Sequence, residues 1–326
     1  MADENSKTAP ADGALDTPAG EAGAGALAAR VGDRLAALLR EPLAAGLYIV
    51  ATPIGNLGDI SLRALTVLAS VDAVCCEDTR HTRTLLSTFG LATRLRPYHE
   101  HNAERERPKL LAELAAGARI ALVSDAGTPL VSDPGYKLVR EAADAGHHVS
   151  TIPGASAVTA ALALAGLPTD RFLFAGFLAP RKAARRRQLA ELGETHATLV
   201  LFEAPGRLGD CVCDIAEVLG GREVVVAREI TKRFEEVLRG PATALAARLC
   251  ETPVRGECVV MVGPAASAHA DISDELILAD LEAALARRSM RDAVHDIATA
   301  RALPRRRVYD LALALQRRQS GGDDQP

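Results

Sequence analysis

The segment that most constrains this chain is a loop rich in acids, prolines and glycines that follows a short apolar run. The apolar run, residues 120–123, is typical of a buried β-strand, and a helical pattern begins at Tyr136. Between them, residues 124–135 contain two acids, two prolines and two glycines. Ligands of open α/β sheets bind at such strand ends, and glycine lets the backbone approach a ligand closely. The loop therefore indicates a binding site in an α/β fold, with a decorated strand-to-helix connection as the simpler alternative.

Length and composition indicate a two-domain globular protein. A chain of 326 residues suffices for about two domains of ordinary size. No apolar run reaches the roughly 18 residues of a membrane-spanning helix, and the acidic start is unlike a signal peptide. We therefore expect a cytoplasmic protein with no membrane partner. The six cysteines lack zinc-ligand spacings, so we expect buried thiols and no metal site.

Alternating apolar runs and helical patterns predict two α/β domains, the first with a largely parallel sheet, and a small helical domain after them. The four regions are a disordered or partly helical extension (1–46), an N-terminal α/β domain (47–166), a second α/β domain (167–267) and a helical tail of the RNA-binding type (268–326). Within the extension, disorder is expected to about residue 26 and a helix over 27–40. The predicted strands are 47–51, 73–76, 95–98, 120–124, 148–152, 172–177, 197–203, 223–228 and 257–262. The predicted tail helices are 274–287, 290–301 and 304–316.

The charge pattern leaves RNA binding open. A net charge of −4 argues against indiscriminate binding to polyanions, yet residues 181–187 carry five positive charges in seven positions. Residues 301–318, near the end of the tail, contain six arginines beside one acid, Asp310: Arg301, Arg305, Arg306, Arg307, Arg317 and Arg318. Such stretches either contact phosphates or are solvated helix faces. With no Trp and 3% aromatic residues, a stacking surface of the RNA-recognition-motif kind is not expected.

A glycine-bearing loop, residues 52–61, follows the first predicted strand. It lacks both the G-x-G-x-x-G of NAD sites and the G-x-x-x-x-G-K-[ST] of P-loops. A tight turn that caps the next helix through Asp59 or Ser61 is an equally good interpretation.

Polar clusters follow other predicted strands in both halves. Residues 77–83 crowd ionisable side chains at one strand end, and residues 228–236 do so in the second half. His99 and His101 lack further matching metal ligands. Residues 153–157 place backbone N–H groups at a helix start, where they suit a polar or anionic ligand. Together these clusters predict a cleft between the two domains.

Six segments resemble, in order and spacing, the ribosomal RNA small subunit methyltransferase I family, a branch of the tetrapyrrole methylase superfamily. They are residues 47–56, 77–80, 124–135, 153–157, 202–205 and 228–236. The resemblance covers residues 47–264 closely. The tail to Gln316 resembles the family's extra helical domain less specifically, and the first 45 residues lie outside it.

The resemblance implies a homodimeric enzyme that uses S-adenosyl-L-methionine to methylate the ribose 2′-hydroxyl of one cytidine in the decoding region of 16S rRNA. The implied partners are 16S rRNA or the small ribosomal subunit, with no DNA. The family arrangement places the cofactor in the cleft between the two α/β domains. The positions implied to bind it are Pro53, Gly55, Asn56, Asp125, Gly127, Thr128, Pro129, Val131, Ala155 and Ser156.

Six strand-end residues are candidates for the chemistry. A ribose hydroxyl is a weak nucleophile, so a general base or a cation that stabilises the alkoxide would help. The candidate bases are Glu77, Asp78, His99 and Glu236, and the candidate cations are Arg80 and Lys232. Neither the cluster at residues 77–83 nor the cluster at residues 228–236 has an evident partner within its own half of the chain. We therefore expect the two clusters to meet across the cleft.

Two alternative functions remain at this level. One is a tetrapyrrole methylase that acts on a corrinoid precursor, because the superfamily shares its cofactor scaffold. The other is a non-enzymatic nucleic-acid-binding protein built around residues 274–317. The basic stretch at 181–187 and the helical tail favour RNA over a corrinoid, and the strand-end clusters favour an enzyme.

Overall fold

The computed structural model describes residues 21–132, 135–252, 254–265, 273–301 and 303–320. They form two units, one that ends at Ser156 and one that begins at Ala157. The disorder expected for residues 1–26 lies outside the described residues as far as residue 20. From Glu21 that expectation is wrong, because helix α1 spans Glu21–Arg40 and packs against the helix that follows β1.

The first unit contains a five-stranded sheet in the order β3-β2-β4-β1-β5, and all four neighbouring pairs are parallel. Its strands are β1 (Gly46–Val50), β2 (Ala73–Cys76), β3 (Leu95–Pro97), β4 (Arg119–Leu122) and β5 (Val149–Ile152). Its further helices are α2 (Leu62–Ser70), α3 (Thr79–Thr88), α4 (Glu100–Ala115) and α5 (Tyr136–Asp144). The predicted parallel sheet is confirmed.

Strand β1 shows why these short apolar runs became strands. Successive side chains of a strand point to opposite faces of the sheet. Tyr48 and Val50 belong to one hydrophobic cluster, whereas Leu47 and Ile49 belong to another. Every residue of β1 is buried, as expected where helices cover both faces of a parallel sheet.

The second unit contains a mixed five-stranded sheet in the order β6-β7-β10-β8-β9. Its strands are β6 (Phe172–Phe177), β7 (Thr198–Glu203), β8 (Glu223–Arg228), β9 (Glu236–Pro241) and β10 (Cys258–Val262). Strands β6 and β7 are parallel, and the other three pairs are antiparallel. Its sheet-associated helices are α6 (Ala157–Ala165), α7 (Lys182–Gly193), α8 (Leu208–Leu219) and α9 (Ala242–Glu251). Helix α6 packs on β8, β9 and β10, so the division between the units precedes α6, whereas the sequence pattern places it near residue 166.

Strand β9 is absent from the predicted elements. It lies at the edge of the sheet, paired with β8, and its sequence EVLRGP offers one buried side chain, Leu238. Charged and proline residues are typical of edge strands, which need no continuous apolar run.

The tail forms three helices, α10 (Asp274–Leu285), α11 (Met290–Ala300) and α12 (Arg305–Ser320), as predicted. Their shared core includes Ile277, Leu281 and Val308. Ser273 and Ser289 cap α10 and α11, because each side chain accepts a hydrogen bond from a first-turn amide.

Among the described residues, no helix combines the length and apolarity needed to cross a bilayer. The expectation of six buried thiols is wrong for two of them. Cys213 on α8 is half-buried and Cys250 on α9 is exposed, and their sulfur atoms lie 3.1 Å apart.

Candidate functional site

The loops that follow β1 and β4 are joined by their main chains. The amide of Thr52 donates to the Gly127 carbonyl at 2.9 Å, and the Gly127 amide donates back to the Thr52 carbonyl at 3.0 Å. The Thr52 hydroxyl also donates to the carbonyl of Ser124 at 3.2 Å. Because the carboxyl ends of parallel strands share one edge, these contacts build a continuous rim there.

Gly127 lets the backbone make this approach. Its φ of +81° is left-handed, and an added Cβ would lie 3.3 Å from a methyl carbon of Ile54. The next residue, Thr128, donates its hydroxyl to the Ala155 carbonyl at 3.1 Å. The loops after β1, β4 and β5 are therefore tied together at two adjacent residues.

The loop after β2 joins the same rim through Asp125. One Asp125 carboxylate oxygen accepts a hydrogen bond from the Asp78 amide at 3.1 Å. Asp78 itself caps α3 by accepting from the Arg80 amide at 2.8 Å. Its carboxylate also binds the Arg80 guanidinium at 2.8 and 3.2 Å, and this hydrogen bonding lowers the pKa of Asp78 to about 2. The expectation that this cluster lacks a partner within its own half is wrong.

The backbone after Pro129 is strained. Leu130 and Ser132 have left-handed φ values of 76° and 68°, which non-glycine residues rarely adopt. Gly135, at φ 133°, closes the loop where an added Cβ would lie 2.8 Å from side-chain atoms of Leu122 and Leu130. Such outliers cluster at ligand-binding segments. Val131 is half-buried, and Asp133 and Pro134 lie outside the described residues.

Residues 56–61, in the loop after β1, form the helix-capping turn that is the alternative interpretation of this segment. The Asn56 side chain accepts from the Gly58 amide at 2.9 Å and caps a short 3-10 turn. Ser61, rather than Asp59, caps α2 by accepting from the Ala64 amide at 3.1 Å. Asn56 is therefore at least a structural residue. Of its neighbours among the cofactor candidates, Pro53 is half-buried and Gly55 is exposed.

His99 lies at the start of α4. Its amide donates to the Asn102 side chain at 2.9 Å, which fixes the helix start. The His99 Nδ1 atom is buried and has no hydrogen-bond partner within the described chain. The His101 ring lies 6.0 Å away, edge-on. No group of three or more metal-type ligands occurs among the described residues.

A cavity of about 570 Å³ lies between α4 and α5 in the first unit, and we call it the α4–α5 cavity. Its lining residues are Glu77, Tyr98, Glu100, Ala103, Glu104, Arg107, Ser132, Gly135, Tyr136 and Lys137. Burial raises the pKa of the Tyr98 hydroxyl, and Arg107 opposes that shift. Arg107 is held by Glu141 at 2.7 Å. Of the candidate catalytic residues, this cavity includes Glu77.

Sequence reasoning missed most of this lining. One sequence signal for this lining is the spacing of Glu100, Glu104 and Arg107. This spacing places three charged side chains along one face of α4. Their proximity to Tyr136 and Lys137 depends on the packing of α4 against α5, which a single sequence does not reveal.

The candidate cation of the second unit, Lys232, lies in an ion-pair cluster after β8. Its ammonium group donates to Glu229 at 3.0 Å and to Glu257 at 2.9 Å. Partial burial would lower the Lys232 pKa, but the two carboxylates outweigh it and raise the pKa above the ordinary value. Glu229 and Thr231 have left-handed φ values of 49° and 66°, so the backbone on either side of Ile230 is constrained.

Glu236 lies in a second ion-pair cluster. Its carboxylate accepts from Arg228 at 2.6 Å and from Arg248 at 3.4 Å. The expectation that this half lacks partners of its own is therefore also wrong. Asp78, Lys232 and Glu236 therefore each have an oppositely charged partner within their own unit.

The basic stretch 181–187 does not form one solvated face. Arg185 is buried and donates to Asp214 at 2.6 Å, and Arg186 binds the other oxygen of Asp214 at 2.7 Å. These two arginines therefore anchor α7 to α8, and reversing their charge would test folding rather than RNA binding. Arg181 and Arg187 are exposed.

The tail arginines divide in the same way. Arg301 binds Asp280 at 2.8 Å, and Arg307 binds Asp274 at 2.6 Å, so both fasten α10 to the following helices. Among the six arginines of residues 301–318, Arg305, Arg306 and Arg317 are exposed. The side chain of Arg318 lies outside the described residues.

Sequence comparison identifies the family. The model of the family described as tetrapyrrole (corrin/porphyrin) methylases matches residues 46–246. A ribosomal RNA small subunit methyltransferase I from Mesorhizobium japonicum is 53% identical over 243 residues, which cover 73% of this chain and 82% of that protein. This chain belongs to the ribosomal RNA small subunit methyltransferase I family. The member of this family from Synechocystis is 43% identical over 273 residues, 83% of this chain and 98% of that protein.

Solved structures show the fold of this family member independently. The methyltransferase CobJ matches with a TM-score of 0.51 at 18% identity, over 68% of this chain and 95% of that chain. A cobalt precorrin-4 methyltransferase matches with a TM-score of 0.50 at 18% identity, over 67% and 94%. The predicted α/β class with two sheets and C-terminal helices is confirmed.

Proposed function

We propose that this protein uses S-adenosyl-L-methionine to methylate the ribose 2′-hydroxyl of a cytidine in the decoding region of 16S rRNA, in the cytoplasm. Family membership carries the proposal, because the match spans 98% of the Synechocystis relative. The relatives are named as methyltransferases of the small subunit ribosomal RNA. The solved cobalt precorrin-4 methyltransferase matches at only 18% identity, so a corrinoid substrate has weaker support.

The linked rim of the first unit fits this cofactor. Gly127 has no side chain, so a ligand can approach its main-chain atoms. The half-buried Asp125 carboxylate suits a ligand with a positive centre. The cofactor supplies an electrophilic methyl group on a sulfonium. The residues proposed to hold it are Pro53, Gly55, Asn56, Asp125, Gly127, Thr128, Pro129, Val131, Ala155 and Ser156.

The charges favour some candidate roles over others. A general base works best when its pKa is near the working pH, so Asp78, with a pKa of about 2, is a weak base. Glu236 is already held by two arginines. Glu77 is exposed at the α4–α5 cavity and the His99 Nδ1 atom has no partner in the described chain, so we propose these two as the base candidates. Lys232, whose pKa is raised, serves as a cation.

We further propose that the strand-end clusters at residues 77–80 and 228–236 frame the acceptor ribose together, and that the protein acts as a homodimer. The proposal predicts that Arg80 and Lys232 approach the same ribose. A crystal structure with S-adenosylhomocysteine and an RNA oligonucleotide would test the first point, and light scattering the second. Clusters on opposite faces of the molecule would refute the shared site.

The decisive experiment is methyl transfer to unmodified 16S rRNA and to small subunits, with methyl-labelled cofactor. Nuclease digestion and mass spectrometry should find 2′-O-methylcytidine in a decoding-region fragment. RNA with 2′-deoxycytidine at that position is the matched control and should stay unmodified, because it lacks the acceptor hydroxyl. Methylation of a corrinoid precursor without RNA methylation would establish the alternative enzyme. RNA binding without any methyl transfer would establish the binding protein.

A further inference from the structure

The α4–α5 cavity has a composition that the cofactor rim does not explain. Its volume of about 570 Å³ lies within the range typical of small-molecule sites. Two tyrosines, two cations and three carboxylates line it. We propose that this cavity receives the target cytosine nucleotide of the RNA after the base leaves its stack. The proposal rests on the proposed function and names the site where that substrate is read.

Tyr136 supplies the stacking surface. It is the first residue of α5 and its side chain is 63% exposed, which leaves an aromatic face in water beside the cavity. Unpaired RNA bases are held by stacking on such rings. Gly135, whose φ of 133° excludes most other residues, sets the direction in which the chain enters α5. The ring is therefore placed by backbone geometry.

The carboxylates suit the cytosine edge. Glu100 and Glu104 are one turn apart on α4, both are exposed, and both line the cavity. A carboxylate accepts a hydrogen bond from the exocyclic amine of cytosine, whereas uracil presents a carbonyl oxygen there and would be repelled. The acids therefore provide a physical means of choosing cytosine.

The cations suit the nucleotide's phosphate. Lys137 follows Tyr136 directly and is exposed, and Arg107 lines the cavity from α4 while Glu141 holds it. A phosphate binds such groups through charge-assisted hydrogen bonds. A polycarboxylate tetrapyrrole would instead meet Glu77, Glu100 and Glu104, so the same lining disfavours the corrinoid alternative.

The test compares variants in the RNA methyl-transfer assay, with KM for RNA and kcat measured separately. Tyr136→Ala should raise the KM for RNA about tenfold, as expected for loss of one stacked base. Tyr136→Phe should restore it, because the ring remains. Lys137→Ala should also raise KM, whereas Arg140→Ala, the matched control on the exposed side of α5, should not. Affinity for S-adenosylhomocysteine, measured by calorimetry, should stay unchanged throughout.

Base choice gives an independent readout. The wild-type protein should methylate RNA with uridine at the target position much less than RNA with cytidine. The double substitution Glu100→Gln and Glu104→Gln should narrow that difference, because a glutamine amide can donate to the uracil carbonyl. A wild-type protein that methylates no RNA would refute the proposed function, and the cavity assignment with it. An active wild type with unchanged KM in Tyr136→Ala, or equal losses in Arg140→Ala, would refute the cavity assignment alone.

Discussion

In the first unit the loops after β1 and β4 are joined to each other by two reciprocal main-chain hydrogen bonds, whereas in the second unit Lys232, after β8, is joined to Glu229 and Glu257 by side-chain ion pairs. The Thr52–Gly127 pair represents the first arrangement. The Glu229–Lys232–Glu257 cluster represents the second. Main-chain bonds persist through changes of pH and side chain, but ion pairs depend on each partner being charged. We therefore expect the first unit to respond to backbone geometry and the second to charge.

The largest expected effect comes from the buried ion pair of the second unit. Arg185→Met leaves Asp214 buried with Arg186 as its remaining partner, so we expect a loss of about 3 kcal/mol, the lower end of the cost of breaking a buried pair. The free energy of unfolding, from urea titration followed by circular dichroism, should fall by that amount. Arg187→Met is the matched control on the exposed side of α7 and should change it by less than about 0.5 kcal/mol. Equal effects of the two variants would contradict the assigned burial.

Lys232 tests whether a side-chain cluster also takes part in chemistry. Lys232→Met keeps most of the apolar stem and removes the charge, and we expect kcat to fall about 10²-fold, as for loss of a group that stabilises transition-state charge. Cofactor affinity should change little. Glu257→Gln is the control, because it weakens the ion pair but leaves the ammonium group in place. Turnover at the wild-type level in Lys232→Met would remove Lys232 from the site.

Gly127 tests the backbone arrangement of the first unit. Gly127→Ala should cost about 1–2 kcal/mol of stability, because the left-handed conformation brings its Cβ close to the following carbonyl oxygen. It should also weaken cofactor binding, since the new methyl group presses on Ile54. Gly90→Ala is the matched control, with a left-handed φ of +68° and open space around its Cβ. It should cost similar stability and leave cofactor affinity, measured by calorimetry, intact.

Exposed arginines should separate RNA binding from folding. If Arg181 and Arg187 contact phosphates, the double substitution Arg181→Ala and Arg187→Ala should weaken RNA binding and reduce the slope of log K against log salt by about one per contact. Filter binding across a salt series measures this slope, and cofactor affinity should be nearly independent of salt. An unchanged slope would assign both residues to an ordinary solvated surface.

The smallest expected effect is a titration in the first unit. The folded pKa of Asp78, about 2, lies below the ordinary value of 3.8, so its contribution to stability is complete above pH 3.8 and is lost as the pH falls through about 2. Arg80→Ala should raise the Asp78 pKa towards 3.8, as followed by NMR of the carboxyl carbon. Arg119→Ala, which removes the partner of Asp72, is the control and should leave Asp78 unchanged. An Asp78 pKa that stays near 2 in Arg80→Ala would assign the shift to the α3 cap.

Sequence patterns predicted the first unit more completely than the second. A parallel sheet covered on both faces favours continuous apolar strands, and all five strands of the first unit were predicted, against four of the five in the second. The antiparallel edge strand β9 was missed because its burial depends on its neighbours rather than on its own composition. The local sequence places Arg185 in a charged surface stretch, because no residue near it in the sequence shows that Asp214 lies opposite.

The site shows the same limit. Strand-end motifs located the rim around Asp125 and Gly127, because strand order and turn chemistry are local signals. The Lys232–Glu257 pair was missed, since a salt bridge between residues 25 positions apart depends on the folded arrangement. The α4–α5 cavity was missed for the same reason.

The reciprocal Thr52–Gly127 bonds have a consequence for how such a site can diverge. They use main-chain atoms alone, so at either position proline is the substitution that directly removes a donor. Side chains elsewhere in the two loops can therefore be exchanged while the loops stay in register. Single substitutions along the rim can therefore change which ligand it binds, while the backbone of the rim and the fold are retained.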